Sequence, residues 1–170
     1  DGVTLVVGAP KGDDTDGRLR GAVRIYRRVG ERWQPDGVLQ APDADGDTLD
    51  FGAGLALRGD TLMVGAPGHD APGGPTDAGA VYVFQRQGTI WVLLQRLVAA
   101  MPHACANFGV SIALAQDSSD RMLVGATGDR HPSGTAAGAA YLFERSVSGT
   151  WEERARLVPA AGADGDAAGK

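Results

Sequence analysis

The stretch Leu62-Met63-Val64-Gly65-Ala66-Pro67, followed after a loop by Gly79-Ala80-Val81-Tyr82-Val83-Phe84-Gln85-Arg86, decides the fold. Each half is a short run almost continuous in apolar residues and closed off by glycine or proline. That is how a strand covered on both faces reads, because neither set of alternate side chains meets water. Both halves return in order. The first is Val-Gly-Ala-Pro at Val7 to Pro10 and Val64 to Pro67, then Val-Gly-Ala-Thr at Val124 to Thr127, so Gly8, Gly65 and Gly125 stand 57 and 60 residues apart. The second opens at Gly21, Gly79 and Gly138 and ends at Arg28, Arg86 and Arg145. A tryptophan with a leucine six positions on follows each time: Trp33 and Leu39, Trp91 and Leu97, Trp151 and Leu157. A fourth marker, Phe-Gly leading to a leucine, occupies Phe51 to Leu57 and Phe108 to Leu114.

Four markers in a fixed order make a four-stranded unit. Strands are expected at 51–57, 61–66, 79–86 and 90–97, and again at 108–114, 121–126, 138–145 and 150–157. A repeat of this length with four strands and one tryptophan is a propeller blade in content, slightly longer than the ~40 to 50 residues of better-known blade repeats. Small residues suit the crowded axis of such a ring, and aromatic residues its wider rim. The expected fold class is all-β: three tandem four-stranded antiparallel blades, the first lacking its innermost strand. Residues 1–170 are read as one partial propeller, with repeats at 1–50, 51–107 and 108–167, and 168–170 opening a further strand in which Ala168-Gly169 align with Phe51-Gly52. Closed propellers use ~4 to 8 blades, so the ring is expected to be completed by a longer parent chain or by identical subunits.

Composition agrees. A hydrophobic fraction of 43% supports a packed core, while 26 glycines and 9 prolines leave little room for long helices. A net charge of -5 offers no basic stripe for phosphates, so nucleic acid is excluded as an expected partner. No stretch approaches the ~18 uninterrupted apolar residues that cross a bilayer as a helix, so membrane insertion is not expected either. The single cysteine, Cys105, removes an internal disulfide and any multi-cysteine zinc site.

Phe51-Gly52 with Gly65-Ala66-Pro67, and Phe108-Gly109 with Gly125-Ala126-Thr127, resemble the FG-GAP family, the repeat that builds the head of integrin alpha subunits. The Gly-Ala-Val-Tyr-Val-Phe run and the Trp-Leu segment look like the bacterial surface and secreted versions. The resemblance covers essentially the whole chain. It implies a β-propeller, an extracellular or cell-surface setting, and adhesion or ligand binding with seldom any catalysis; no cofactor is expected to be required. Phe51, Gly52, Gly65, Ala66, Pro67, Phe108, Gly109, Gly125, Trp33, Trp91 and Trp151 are then framework positions.

Function has to be sought in the links. In an up-and-down blade the link from the second to the third strand and the link to the next blade emerge on one face. Here those are the long ones: 11–20, 41–50, 68–78, 98–107, 128–137 and 158–167. They carry Asp13, Asp14, Asp16, Asp43, Asp45, Asp47, Asp50, Asp70, Asp77, Asp129, Asp164 and Asp166 against Lys11, Arg18, Arg20 and Arg130, a local balance of -8. The framework residues repeat between copies and these do not. A protein or glycan ligand is the expected partner of this acidic face, by the family resemblance and by charge. The competing reading is that aspartate and glycine simply make solvated loops.

Asp43, Asp45, Asp47 and Asp50 set carboxylates at near-alternate positions, as hard-cation loops do, which makes Ca2+ the candidate ion. The glycine falls at Gly46, too early for an EF-type loop, and the equivalent loop keeps only Asp164 and Asp166 in the third copy and no acid at 103–107 in the second. The calcium hairpin typical of the family would lie between the Phe-Gly and Gly-Ala-Pro strands, where only Arg58-Gly59-Asp60 stands. That tripeptide matches an integrin-recognition sequence, but glycine then aspartate is also what a tight turn prefers. His69, His103 and His131 lie in links with Cys105 near His103, too few ligands for zinc. No nucleophile elbow, phosphate loop or HExxH stretch nominates a catalytic group. The classes left are a non-catalytic binding module, an accessory propeller of a larger secreted enzyme, or a structural spacer.

Overall fold

The computed structural model describes residues 2–12, 20–42, 49–70, 74–115, 117, 120–130, 134–160 and 168–169. Among these residues the chain is all-β without a helix, arranged as three antiparallel sheets. Blade one is β1 (Thr4–Ala9), β2 (Ala22–Val29) and β3 (Arg32–Leu39). Blade two is β4 (Leu55–Arg58), β5 (Thr61–Ala66), β6 (Ala80–Gln87) and β7 (Ile90–Leu97). Blade three is β8 (Phe108–Leu114), β9 (Arg121–Ala126), β10 (Ala139–Arg145) and β11 (Trp151–Leu157). Within each sheet the strands follow chain order, the up-and-down arrangement that short links permit.

The continuous apolar runs have a simple cause. On β6, Tyr82 and Phe84 pack toward blade one with Leu62, Val64 and Val23, while Val81 and Val83 pack toward blade three with Met63, Met122 and Val124. Successive side chains point to opposite faces, and a blade lies on each. All of these side chains are less than 5% exposed. A bulge interrupts the pairing of the last two strands at the same place in every blade: Ile25/Tyr26, Val83/Phe84 and Leu142/Phe143. It adds twist to the outer edge of each sheet.

The Phe-Gly marker does not extend a strand in blade two, where residues 51–54 form a turn and β4 begins only at Leu55. The Phe-Gly pair instead seats each blade on the one before it. Phe51 N–H donates to Arg20 O of the preceding blade at 3.0 Å, and Gly52 then turns at φ 100° over Gly8. Phe108 repeats this, donating to Ala78 O at 3.1 Å, with Gly109 at φ 94° over Gly65. A Cβ on Gly65 would stand 1.8 Å from Gly109 O, so the close approach admits only glycine. Ala168-Gly169 follow suit: Ala168 donates to Ala137 O at 2.9 Å, and Gly169 sits at φ 88° over Gly125. The Phe rings complete the blade cores, Phe51 edge-on to Tyr82 and Phe108 edge-on to Tyr141.

Candidate functional site

Among the described residues the antiparallel order puts the ends of the long links on one side of the sheets and the tight turns at 30–31, 59–60 and 88–89 on the other. Of the acids expected on the long-link face, Asp50, Asp70, Asp77 and Asp129 fall among the described residues. Asp13, Asp14, Asp16, Asp43, Asp45, Asp47, Asp164 and Asp166 lie outside them, and so does the greater part of the candidate calcium loop. Among the described residues no group of three or more His, Cys, Asp or Glu side chains is placed to hold a metal ion.

Asp50 adopts φ 53° just before Phe51, and Asn107 adopts φ 56° just before Phe108. Aspartate and asparagine tolerate this left-handed conformation better than other non-glycine residues, which accounts for their place at the entry to each Phe-Gly turn. The Asp50 carboxylate accepts a 2.5 Å hydrogen bond from Lys11 Nζ. Asp70 Oδ1 accepts from the backbone N–H of Asp77 at 2.7 Å, closing its own link. The next link is stitched to it, since Cys105 N–H donates to Thr76 O and Asn107 N–H to Asp77 O. Asp70 is exposed and Asp77 half-buried, both carried on a link braced by the backbone.

Asp129 departs from the expectation of an open acidic face. Its side chain is wholly buried. Oδ2 accepts from Tyr141 Oη at 2.5 Å and from Arg156 Nε at 2.8 Å. Oδ1 accepts from the Arg130 N–H at 2.8 Å and faces His103 Nδ1 at 2.9 Å. The Arg156 guanidinium also donates to Arg130 O. Burial alone would push the Asp129 carboxyl up, but the hydrogen bonds from Arg156, Tyr141 and Arg130 outweigh it and hold the group below the usual aspartate range. Burial, and then the bond to Asp129, raise the Tyr141 phenol. The hydrogen bond to Asp129 likewise raises Arg156. The carboxylate is wholly buried and takes three hydrogen bonds from within the protein, so it presents no open face to a ligand. It ties the link after β9 to β10, to β11 and to the link before β8.

Sequence reading missed this cluster, although the repeats carried a signal for it. Tyr141 and Arg156 occupy the positions of Tyr82 and Arg96, and Asp129 that of His69. In blade two the His69 Nδ1 lies 3.4 Å from Tyr82 Oη, and the rings meet edge-on. Blade one has Gly12, Arg24 and Val38 at those positions and builds no such cluster. In the Arg58-Gly59-Asp60 turn Gly59 and Asp60 are exposed, while Arg58 donates to Ala115 O and Asp117 O at 3.0 Å and to Asp120 Oδ1 at 2.5 Å, bracing blade two against blade three.

The FG-GAP repeat model matches residues 33–84 and 91–143. The chain belongs to the FG-GAP repeat family. Each matched unit starts on the outermost strand of one blade and runs through three strands of the next, β3 to β6 and then β7 to β10, so the FG-GAP sequence unit straddles two sheets. The Phe-Gly turn that seats each blade on its predecessor lies inside the unit. No curated protein matches the chain. No helix among the described residues is long and apolar enough to cross a membrane.

Proposed function

We propose that this FG-GAP chain is a non-catalytic binding module of a secreted or cell-surface protein, and that its long-link face receives the partner. One observation carries the reading: Asp50, Asp70 and Asp77 stand on the long links, and the Asp70 and Asp77 link is braced to its neighbour by backbone hydrogen bonds. A fixed acidic platform loses little conformational entropy on docking, and its field favours a basic protein segment or a cationic glycan. The family resemblance supports the extracellular setting.

The test is capture of protein and glycan ligands on the immobilised chain, repeated with Asp43, Asp45, Asp47 and Asp50 replaced by Ala. Binding is expected to fall at least tenfold in the variant and to weaken as salt rises through the range where exposed charges are screened. Capture that is indifferent to both would remove the acidic face from the reading.

A further inference from the structure

Blades two and three share their framework, but they part company at one corner. Arg86 and Arg145 hold the same place near the ends of β6 and β10, each turned toward the preceding blade. Each donates through Nε to a glycine carbonyl of its own hairpin, Gly88 O at 3.2 Å and Gly149 O at 3.0 Å. The rest of the Arg86 guanidinium is occupied: Nη1 crosses to Thr4 Oγ1 of blade one at 3.1 Å, and the group lies 5.9 Å from the centre of the Trp91 ring. Arg145 makes neither contact. The counterpart of Thr4 in blade two is Thr61, whose hydroxyl donates to Gln85 Oε1 at 3.2 Å instead. Among the described residues no carboxylate pairs with Arg145, and its side chain bonds only to Gly149 O.

The free edge of this guanidinium opens on a groove of about 360 Å³ at the rim between blades two and three. Val83 and Trp151, both buried, form its base, and Leu94, 48% exposed, stands at one wall. The hairpin at 146–150 is the other wall. Gln95 of β7 pins the two together, donating Nε2 to Trp151 O and accepting the Trp151 N–H at Oε1, both at 2.9 Å. The hairpin too departs from its counterpart. Four residues, 87–90, separate Arg86 from its partner Trp91, whereas five, 146–150, separate Arg145 from Trp151. The longer turn brings a row of hydroxyls, with Ser146 Oγ 2.7 Å from Ser148 Oγ and that atom 3.4 Å from Thr150 Oγ1. Ser148 and Thr150 are exposed and line the groove.

These groups select a chemistry. A guanidinium edge offers paired N–H donors that match a carboxylate. Serine and threonine hydroxyls both donate and accept, as the hydroxyls of a sugar require, and the aliphatic surface of Leu94 suits the C–H face of a ring. A neutral sugar would leave the guanidinium without a counter-charge, and a plain aliphatic acid would leave the hydroxyl row unused. We propose that this rim groove binds a carboxylate-bearing sugar, a uronic acid unit of a glycan, with the carboxylate on Arg145 and ring hydroxyls on Ser148 and Thr150. Both walls are already fixed to each other, so binding orders little of the protein. The 146–150 hairpin lies on the tight-turn side, so the groove is separate from the long-link face and its ligand is independent of any partner there.

Amide NMR titration of the intact chain with methyl glucuronide, methyl glucoside and acetate tests it. Glucuronide is expected to give saturable shifts at Leu94, Gln95, Gly149 and Thr150, and glucoside to bind about tenfold more weakly, the loss of a charged hydrogen bond. Arg145→Gln should abolish that difference, and Ser148→Trp, at an exposed position, should block the groove with the guanidinium still in place. Far-ultraviolet circular dichroism is expected to be unchanged in both variants. Absence of saturable shifts at these amides overturns the proposal, as does equal binding of glucuronide and glucoside. Acetate that binds as tightly as glucuronide would make this an anion site without a sugar, and a glutamate-containing peptide that displaces the glucuronide more effectively than the sugar itself would make it a protein contact; either result overturns the assignment.

Discussion

Asp129→Asn keeps the shape of the side chain and removes its charge from a buried cluster, leaving Arg156 beside a neutral amide. Breaking a buried pair from one side is costly, and a loss of about 3 kcal/mol at neutral pH is expected. Urea melts would measure it. The pH dependence identifies the cause. Because the folded pKa of Asp129 is depressed, the unfolded chain takes up this proton first as the solution is acidified. The contribution is complete above the unfolded carboxylate pKa of about 3.9 and is lost as pH falls through the folded value. The gap between wild type and Asp129→Asn should therefore narrow below about pH 4. A gap that stayed constant into acid would mean that the substitution acts through packing. Glycines offer a second comparison at this scale. Gly65→Ala drives a Cβ into Gly109 O and should cost about 3 kcal/mol or more, because backbone cannot move aside. Gly59→Ala meets no atom within 4 Å and carries only the strain of φ 56°, about 1 kcal/mol. Equal losses at the two sites would contradict the close approach between blades.

Elements depend on the aromatic that enters with each Phe-Gly turn. Phe108 is fully buried, with ring centroids 5.2 Å from Tyr141 and 5.9 Å from Phe143. Phe108→Ala should destabilise the protein by about 4 kcal/mol, the range for a large aromatic cut from a packed core, as read from thermal or urea unfolding. A loss under about 1 kcal/mol would show that the ring is not what seals blade three. Strand order and both-face burial were legible in the sequence, and so was the likeness of Ala168-Gly169 to Phe51-Gly52, because each rests on local spacing that repeats. The Phe-Gly strand was legible only in part: residues 51–54 form a turn and β4 begins at Leu55, whereas in blade three β8 begins at Phe108 itself. The Asp129 cluster was not read at all. An aspartate in a link looks the same in sequence whether it faces water or an arginine 27 residues on, and only alignment of Tyr82 with Tyr141 and Arg96 with Arg156 hinted at the difference.

In the whole molecule, each blade contacts only its neighbours, so stability is a sum of blade terms and interface terms and need not be uniform. Blade two has both faces covered, and every residue from Leu62 to Ala66 and from Ala80 to Phe84 is buried. Blade one has one face covered, three strands, and an outer strand exposed from Arg32 to Val38. Blade three stands between, with Trp151 buried at its rim and Gln95 of blade two bonded to the Trp151 backbone through both N–H and carbonyl. Native-state hydrogen exchange should therefore show opening at the lowest free energy for β1 to β3, an intermediate value for β9 and β10, and the highest for β5 and β6. The order follows from how many faces each blade has covered, since β2 and β6 are equally long. Exchange from β2 as slow as from β6 would mean that the three blades open as one unit, and that the interfaces outweigh any difference between the blades themselves.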